Sequence, residues 1–360
     1  MASIKKAIQN FGLPRIIIFA FFVILMTMAG ALHMDVPTLI GDVLRRWGMY
    51  GILVLAMVPA IQSGIGPNFG VTIGIAGGLL GALISVELRY YGFFAGFADR
   101  PGQDAFMGVL VALVCGLLIS TAFGFLYGLL LNRVKGSEMT VSTYVGFSFV
   151  ALMNILWLML PFRSPTSIWP LAGDGLRNTI SLEADFSEVF NKFLGFNIGK
   201  TYIPTGLLLV FFLCCFFIWL FTRSRTGAMM SAAGANPLYA RASGINVDKM
   251  RILGTTISTA LGGLGIIVYA QSYGFLQLYN APQMMGFSCV ASVLIGGATI
   301  NRAGIFNVLL GTFLFQGILA VALPVANTIL PEGGLSEILR IIISNGIILY
   351  ALTKSKEVQK

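Results

Sequence analysis

The feature that most constrains the fold is a long stretch without charge. No charged residue occurs from Trp47 to Val86, and about 20 apolar residues are enough for a helix to cross a bilayer. Similar apolar runs recur along the chain, and only 10% of its residues are charged, against about 25% in soluble domains. The polarity alternation typical of membrane barrels is not visible. The sequence therefore predicts an all-α polytopic membrane protein, with residues 1–360 forming a single transmembrane domain.

The apolar runs divide into about ten candidate transmembrane helices. The second and the eighth are short for a full crossing, so we expect broken helices or helices buried in protein. The first run also resembles a signal peptide that would be cleaved after residues 29–31, but its retention as a span gives the more consistent topology. The predicted spans are Ile16–Leu32, Met49–Gln62, Val71–Val86, Phe106–Leu131, Val141–Leu160, Pro204–Phe221, Ile252–Tyr273, Ser288–Ala298, Gly304–Leu323 and Ile338–Thr353.

Lysine and arginine set the predicted orientation, because cytoplasmic loops carry an excess of both. Ten spans with the N- and C-termini in the cytoplasm place most basic residues inside, although Arg45 and Arg46 fall outside. Residues 162–203 then form an extracytoplasmic loop, and residues 222–251 form the largest cytoplasmic one. The net charge of +9 is spread between apolar runs, so it does not indicate binding of nucleic acid.

The cytoplasmic loop contains the sequence GANPLYARASGINVDK at residues 234–249. Asn236 is expected to cap a short helix and Pro237 to occupy its first position, while Gly244 is expected to end it. A short helix with a surface of small side chains suits docking to another protein. The alternative is an ordinary connector, although connectors are usually shorter than about 12 residues.

This segment resembles the cytoplasmic signature of the permease subunits of bacterial ABC importers for ribose, galactose and nucleosides, a family shared with branched-chain amino acid permeases. VLIGGATINRAGIFNVLLGTFLFQGI at 293–318 is similar to the family's Gly-Gly turn and following helix, and GLLLNRVKGSEMTVSTYVGF at 128–147 is a weaker match. Sugar permeases of the family usually have an aspartate between the second and third spans. Here SGIGPNFGVTIG stands at 63–74 without it, which puts assignment to a particular sugar in doubt.

The resemblance implies a translocation subunit in the bacterial cytoplasmic (inner) membrane. Its partners would be ATP-binding cassette subunits inside, an extracytoplasmic substrate-binding protein outside, and a second permease subunit in a homodimer or heterodimer. ATP and Mg²⁺ would sit on the partner, with no cofactor on this chain. Segment 234–249 would be the coupling helix, in which Arg241 pairs with an acidic groove or only marks the cytoplasmic side. The residues that match the coupling motif are Gly234, Asn236, Pro237, Ala240, Arg241 and Gly244.

Uncharged polar residues in the spans suit a path for a small neutral solute, a sugar first and a nucleoside second. No predicted span has a charge in its interior, which argues against a carrier driven by protons or sodium ions. With one histidine and no interior acid, neither catalytic residues nor a metal site are predicted. A stand-alone carrier or channel and a structural scaffold are the competing functions.

The stretch QSGIGPNFG at residues 62–70 is the predicted centre of this path. Pro67 and three glycines disfavour a helix there, and irregular backbone at membrane depth must face protein or a water-filled cavity. We therefore expect a helix break that offers hydrogen bonds to the solute, with an ordinary cytoplasmic turn as the alternative. The predicted path residues are Gln62, Ser63, Pro67, Asn68, Gln271 and Gln316.

Overall fold

The computed structural model describes residues 13–94, 96, 102–168, 176–329, 338, 341–343 and 345–349. Most of them are helical, as predicted. The helices are α1 (Leu13–Ala31), α2 (Val36–Leu55), α3 (Met57–Gln62), α4 (Val71–Tyr90), α5 (Gln103–Arg133), α6 (Glu138–Met159), α7 (Val189–Lys192), α8 (Thr205–Arg223), α9 (Arg225–Ala235), α10 (Pro237–Ala242), α11 (Val247–Tyr273), α12 (Asn280–Ile295) and α13 (Ile305–Ile329). The strands are β1 (Thr179–Ser181), β2 (Phe196–Ile198), β3 (Thr201–Ile203) and β4 (Phe275–Gln277). Strand β1 pairs with β4 and strand β2 with β3, both antiparallel.

Seven helical segments of the described chain are long and apolar enough to cross a membrane, which indicates a multi-pass membrane protein. They are α2 together with α3, α4, α5, α6, α8, α11 and α13. The predicted total of ten is not confirmed. The described apolar part of α1 is shorter, α12 has 16 residues, and the tenth predicted span lies only partly within the described residues.

Helix α2 corrects the predicted second span. The sequence predicts a short helix from Met49, because Arg45 and Arg46 interrupt the apolar run. The structure instead begins the helix at Val36 and continues it through α3 to Gln62, over 27 residues. The prediction of a short second span is therefore wrong. The expectation that this span is broken or buried in protein is confirmed, because the helix is interrupted at Ala56 and its most apolar stretch is 72% buried. The prediction of a short eighth span agrees with α12.

The charges of α2 are tolerated because some of them have partners. The Arg45 guanidinium donates a hydrogen bond to the Ser272 carbonyl at the end of α11 and lies 3.4 Å from the Glu188 carboxylate. A cation is favoured at the C-terminus of a helix, where the carbonyl groups are unpaired. The inference that no span carries an interior charge is therefore wrong for α2, which holds Asp42, Arg45 and Arg46.

The centre of the molecule is formed by α4, α5 and α11, whose backbones approach closely. A methyl group added at Gly74 would overlap the Thr259 carbonyl, and one added at Gly78 would overlap the Gly263 carbonyl. The Ser120 hydroxyl donates to the Gly74 carbonyl at 2.9 Å, so α5 is joined to α4 by a buried hydrogen bond. Small residues four apart are typical of helix interfaces in membranes, where dispersion and hydrogen bonds replace the hydrophobic effect.

The outer helices differ from the central ones in burial. Only 28% of the most apolar stretch of α5, α6 and α8 is buried, against between 72% and 78% for α2 with α3, α4, α11 and α13. The exposed side chains of these outer helices are large and apolar, for example Leu118, Leu126 and Phe217. These surfaces are suited to lipid or to another membrane-embedded chain.

The two ends of the bundle carry different charge. We define the basic end by Arg15 and by segments 62–70, 133–138, 223–251 and 296–305, which are joined by contacts such as Arg15 with Gly297, Gln62 with Ala303 and Lys135 with Asp248. We define the cap end by α7 and the four strands. The described basic residues of the basic end are Arg15, Arg133, Lys135, Arg223, Arg225, Arg241, Lys249, Arg251 and Arg302. The cap end mixes basic with acidic residues. The positive-inside rule assigns the basic end to the cytoplasm, and this orientation stays a prediction.

The close contact between α4 and α11 gives a first test. Replacing Gly78 with alanine is expected to lower the free energy of unfolding by about 1–3 kcal/mol, because the added methyl group overlaps backbone atoms that cannot rotate away. The matched control is Gly30→Ala in α1, where no atom lies within 4 Å of the added carbon. Thermal unfolding in detergent should show a lower Tm for Gly78→Ala alone, and equal Tm values would contradict the close packing.

Candidate functional site

The predicted coupling segment forms a short helix at the basic end. The Asn236 side chain accepts a hydrogen bond from the Tyr239 amide at 3.0 Å, and Pro237 occupies the first position of α10. Gly244 follows the helix with a φ of +80°, a conformation that glycine adopts without strain. The predicted cap, start and end of this helix are confirmed, whereas its docking to another protein stays a prediction.

The surface that α10 presents differs from the predicted small-residue surface. Ala240 is buried in a small cluster with Ala233 and Val247. The exposed side chains are those of Leu238, 80% exposed, and Tyr239, 69% exposed. The small residues therefore let α10 pack against its own chain, while a large apolar pair points outward. Leu238 and Tyr239 lie in the quoted motif, but their exposure could not be predicted from it.

Segment 62–70 meets the coupling segment through backbone contact. Gly64 and Gly66 have φ values of +80° and +86°, which explains why glycine suits both positions. A Cβ atom on Gly64 would lie 2.9 Å from the Gly234 Cα atom. Residues 63–70 form a mostly buried, non-helical link at the basic end, between α3, which ends at Gln62, and α4. The segment is therefore both an interruption between helices and a turn of the chain.

The polar side chains of this link bond within the protein. The Asn68 amide donates to the Ser258 hydroxyl at 2.9 Å, and the Tyr127 hydroxyl donates to the Asn68 carbonyl oxygen at 3.1 Å. The Ser63 hydroxyl donates to the Ala60 carbonyl at 2.9 Å. The expectation that these groups offer free hydrogen bonds to a solute does not match their placement, which joins α4, α5 and α11.

Two further predicted path residues also have partners. The Gln62 amide donates to the Ala303 carbonyl at 2.9 Å, linking α3 to the segment before α13. The Gln271 side-chain oxygen accepts from the Phe190 amide at 3.1 Å, so Gln271 holds α7 at the cap end. Pro67 is buried in the link between α3 and α4. The structure therefore keeps the predicted path residues of segment 62–70 together at the basic end but places Gln271 at the cap end, away from them.

A cavity of about 970 Å³ lies between α2, α11, α12, α13 and the described part of residues 341–349. Its volume is within the usual range for ligand pockets, about 300–1,000 Å³. Gln316 is the one predicted path residue among its lining residues. The rings of Tyr50 and Tyr269 meet edge to face, with centroids 5.1 Å apart. A second cavity of about 350 Å³ shares Arg46, Tyr50 and Tyr269. The polar and aromatic lining side chains of the larger cavity are Arg46, Tyr50, Tyr269, Gln277, Asn280, Phe287, Ser288, Gln316 and Asn345.

The sequence contains one signal for this cavity that the predicted spans concealed. Arg46 and Tyr50 lie four residues apart, which places them on the same face of a helix. Because the helix was predicted to begin at Met49, the two residues were assigned to different environments. Tyr269 reaches them only through the packing of α11 against α2, which sequence spacing cannot indicate.

Charged residues at the basic end form a connected group. The Lys135 ammonium lies 2.7 Å from an Asp248 carboxylate oxygen, and the Arg241 guanidinium lies 3.6 Å from the same oxygen. Arg251 pairs with Glu138, and these two side chains are only 9% and 14% exposed. Exposed pairs contribute about 0.2–1 kcal/mol, whereas breaking a buried pair costs about 3–5 kcal/mol. Arg241, expected either to pair with an acidic groove of a partner or only to mark the cytoplasmic side, thus already has an anion within its own chain.

At the cap end, a buried carboxylate is poorly satisfied. One Asp185 oxygen lies 3.8 Å from the Arg89 guanidinium, and the other has no hydrogen-bond partner among the described residues. Burial raises the pKa of Asp185 to about 6, although Arg89 opposes the shift. The folded protein therefore binds a proton that the unfolded chain releases between about pH 4 and 6, and its stability falls as the pH rises through that window.

Replacing Asp185 with asparagine should remove this pH dependence. We expect the Tm of the parent chain to fall more between pH 4.5 and pH 7.5 than that of Asp185→Asn, because the amide does not ionise. Glu183→Gln, at an exposed neighbouring carboxylate, is the control and should retain the parent dependence. Thermal unfolding in one detergent at both pH values measures the difference, and identical pH dependence in all three chains would disprove the assignment.

The fold and the site define a multi-pass membrane protein with a basic end and a large cavity between its helices. Residues 39–352 match the family model described as branched-chain amino acid transport system / permease component. The match covers most of the chain, which therefore belongs to this family of ABC importer permeases. The family membership predicted from the motifs at residues 234–249 and 293–318 is confirmed.

Several characterised or named relatives resemble the chain at low identity. The ribose import permease protein of Escherichia coli (strain K12) is 24% identical over 278 residues, 73% of this chain and 82% of the relative. The nucleoside ABC transporter permease protein of Lactococcus lactis subsp. cremoris is 23% identical over 261 residues, 72% and 66% of the two chains. The fructose import permease protein of Rhizobium meliloti is 25% identical over 224 residues, 61% and 56%.

The extent of these matches differs among relatives. A probable ABC transporter permease protein of Escherichia coli (strain K12) is 28% identical over 158 residues, which cover 42% of this chain and 46% of the relative. The chain thus spans about half the length of this relative and of the fructose permease. No solved structure matches the chain.

Proposed function

We propose that this chain is the membrane-spanning subunit of a bacterial inner-membrane ABC importer for a small polar solute. Partner subunits hydrolyse ATP, an extracytoplasmic binding protein delivers the solute, and a second permease, a copy or a relative, completes the translocation unit. The chain itself breaks no bond. The observation that carries the proposal is the family match over residues 39–352, joined to the helix α10 exposed at the basic end.

Helix α10 is the proposed contact with the ATP-binding subunit. It combines a rigid start, fixed by Asn236 and Pro237, with two exposed apolar side chains, Leu238 and Tyr239. Leucine and tyrosine on a short exposed helix suit a hydrophobic groove in a partner, in the way that an amphipathic helix docks through its apolar face. Arg241 adds a positive charge beside this apolar pair.

The 970 Å³ cavity is the proposed solute site. Its edge-to-face pair, Tyr50 and Tyr269, offers flat apolar surface, and Asn280, Gln316 and Asn345 offer neutral amides. This combination suits a solute with one apolar face and several hydroxyl or amide groups, which describes both a simple sugar and a nucleoside. Relatives named for ribose, fructose and nucleosides support the same two classes.

One observation favours a stand-alone carrier as the second candidate function. Asp42 and Arg46 lie in α2 and line the smaller cavity, and charged residues within a membrane helix often mark ion or proton paths. An ion-coupled carrier would transport its solute without ATP. An ABC permease would transport only with its ATP-binding partner, so the two functions differ in a measurable requirement.

Replacement of the exposed leucine tests the contact at α10. We expect Leu238→Asp to reduce capture of the ATP-binding subunit by at least about tenfold, because losing an interface anchor costs about 2 kcal/mol or more and 1.4 kcal/mol corresponds to tenfold. An aspartate in the first turn favours the helix itself, so the fold should persist.

The control for this test is Leu194→Asp, an exposed leucine at the cap end. Co-purification of the tagged chain with its ATP-binding subunit measures capture, and the Tm of each variant checks folding. Equal capture by the parent chain, Leu238→Asp and Leu194→Asp would exclude α10 as the docking helix.

Replacement of a cavity tyrosine tests the solute site. Stacking of a nucleobase on an aromatic side chain contributes about 1–3 kcal/mol, so Tyr269→Ala is expected to weaken the affinity for a nucleoside by about five- to 150-fold. Tyr269→Phe keeps the ring and should retain most of the affinity. Tyr144→Ala, at an exposed tyrosine on α6, is the control. Uptake of labelled ribose, fructose and guanosine over a concentration series measures the affinity. An affinity of Tyr269→Ala equal to that of the parent chain would show that the cavity is not the solute site.

A further inference from the structure

Two ion pairs join the turn between α5 and α6, with the first residue of α6, to the start of α11. In one pair the turn supplies the cation, and in the other α6 supplies the anion. The turn presents Lys135 and, three residues later, Glu138, while α11 presents Asp248 and, three residues later, Arg251. The Lys135 ammonium lies 2.7 Å from an Asp248 oxygen, and Arg251 pairs with Glu138. Because the signs alternate on both sides, a shift by one pair would bring like charges together. The charges therefore specify how the turn sits on α11.

The same Asp248 oxygen also lies 3.6 Å from the Arg241 guanidinium of α10. One carboxylate thus contacts cations from two other elements, the exposed helix α10 and the α5–α6 turn, and is itself part of α11. Asn246 fixes its position, because the Asn246 side chain accepts from the Lys249 amide at 3.0 Å and caps α11. Asp248 is the point at which these three elements meet.

Helix α6 needs such a connection if it is to move with α10. Only 28% of its most apolar stretch is buried, so its attachment to the centre is less extensive than that of α4 or α11. Its first residue, Glu138, pairs with Arg251, and the turn before it is held by Lys135. Movement of α10 that displaced Asp248 would act on this turn through Lys135.

We propose that Asp248 is a positioning residue that passes movement of the coupling helix α10 to α6 through the α5–α6 turn, as well as to α11. This proposal rests on the proposed function, in which ATP-binding subunits move α10. Lys135 is the link to the turn and Arg241 the link to α10, so removal of either cation interrupts one arm and leaves the other in place.

A second route of contact competes with this one. Gly64 touches Gly234 of α9, and the Met139 side chain of α6 lies 3.5 Å from the position of a Cβ atom on Gly66. Movement could pass from α9 through segment 62–70 to α6 without Asp248. Charge-neutralising substitutions at Lys135 and Asp248 leave both this backbone contact and the Arg251–Glu138 pair intact, so they test the route through Asp248 alone.

Hydrogen exchange of the assembled complex tests the proposal. The full chain is purified with the ATP-binding subunits that accompany it in its host, placed in nanodiscs, and compared without nucleotide and trapped with ATP and vanadate. In the parent complex we expect exchange at residues 237–242 and at residues 134–145 to change by about fivefold or more on trapping. In Asp248→Asn and Lys135→Gln, the change at 237–242 should persist and the change at 134–145 should disappear.

Two further variants separate positioning from folding. Asp248→Glu keeps the charge and should restore the response at 134–145, and Lys249→Gln removes a neighbouring exposed charge and should leave it unchanged. An unaltered response at 134–145 in both Asp248→Asn and Lys135→Gln would overturn the proposal and assign the movement to the contacts that these substitutions leave in place, the route through Gly64 and the Arg251–Glu138 pair. A parent complex without any ATP-dependent change at 237–242 would refute the proposed function and, with it, this relay.

Discussion

The architecture depends on the backbone contact between α4 and α11. In lipid the hydrophobic effect does not drive helices together, so close approach and buried hydrogen bonds must do so. Gly74 and Gly78 face the carbonyl groups of Thr259 and Gly263, and the Ser120 hydroxyl closes the same contact from α5. These interactions hold α11 at the centre of the bundle as a single helix of 27 residues, about 40 Å long at 1.5 Å per residue.

The position of α11 connects the two regions that the proposed function requires. Its first turn carries Asp248, which contacts cations from α10 and from the α5–α6 turn. Its last turns carry Tyr269, which lines the cavity, and Gln271, which holds α7 at the cap end. A rigid helix of this length transmits a displacement or tilt at one end to the other. The proposed coupling surface and the proposed solute site therefore share one structural element, although they lie toward opposite ends of α11.

Local features of this fold could be predicted from the sequence, and tertiary features could not. Asn236, Pro237 and Gly244 determine the start and end of α10 through contacts with their own neighbours. Arg45 and Arg46 misled the span assignment, because the groups that accept from Arg45 come from residues far along the chain, Glu188 and Ser272. Asn68 looked available to a solute because Ser258 and Tyr127, which occupy its amide, are 190 and 59 residues away. The cavity could not be predicted for the same reason, because it forms where α2, α11, α12, α13 and the described part of residues 341–349 pack together.

The requirement for ATP tests the central claim most directly. The purified chain is placed in liposomes alone or together with its ATP-binding subunits and its binding protein, and uptake of labelled ribose, fructose and guanosine is followed with and without internal or external ATP. If the chain is an ABC permease, we expect uptake of at least one of these solutes only when the ATP-binding subunits and ATP are present on the same side of the membrane. Uptake by the chain alone, driven by a gradient of protons or sodium ions and indifferent to ATP, would contradict the account.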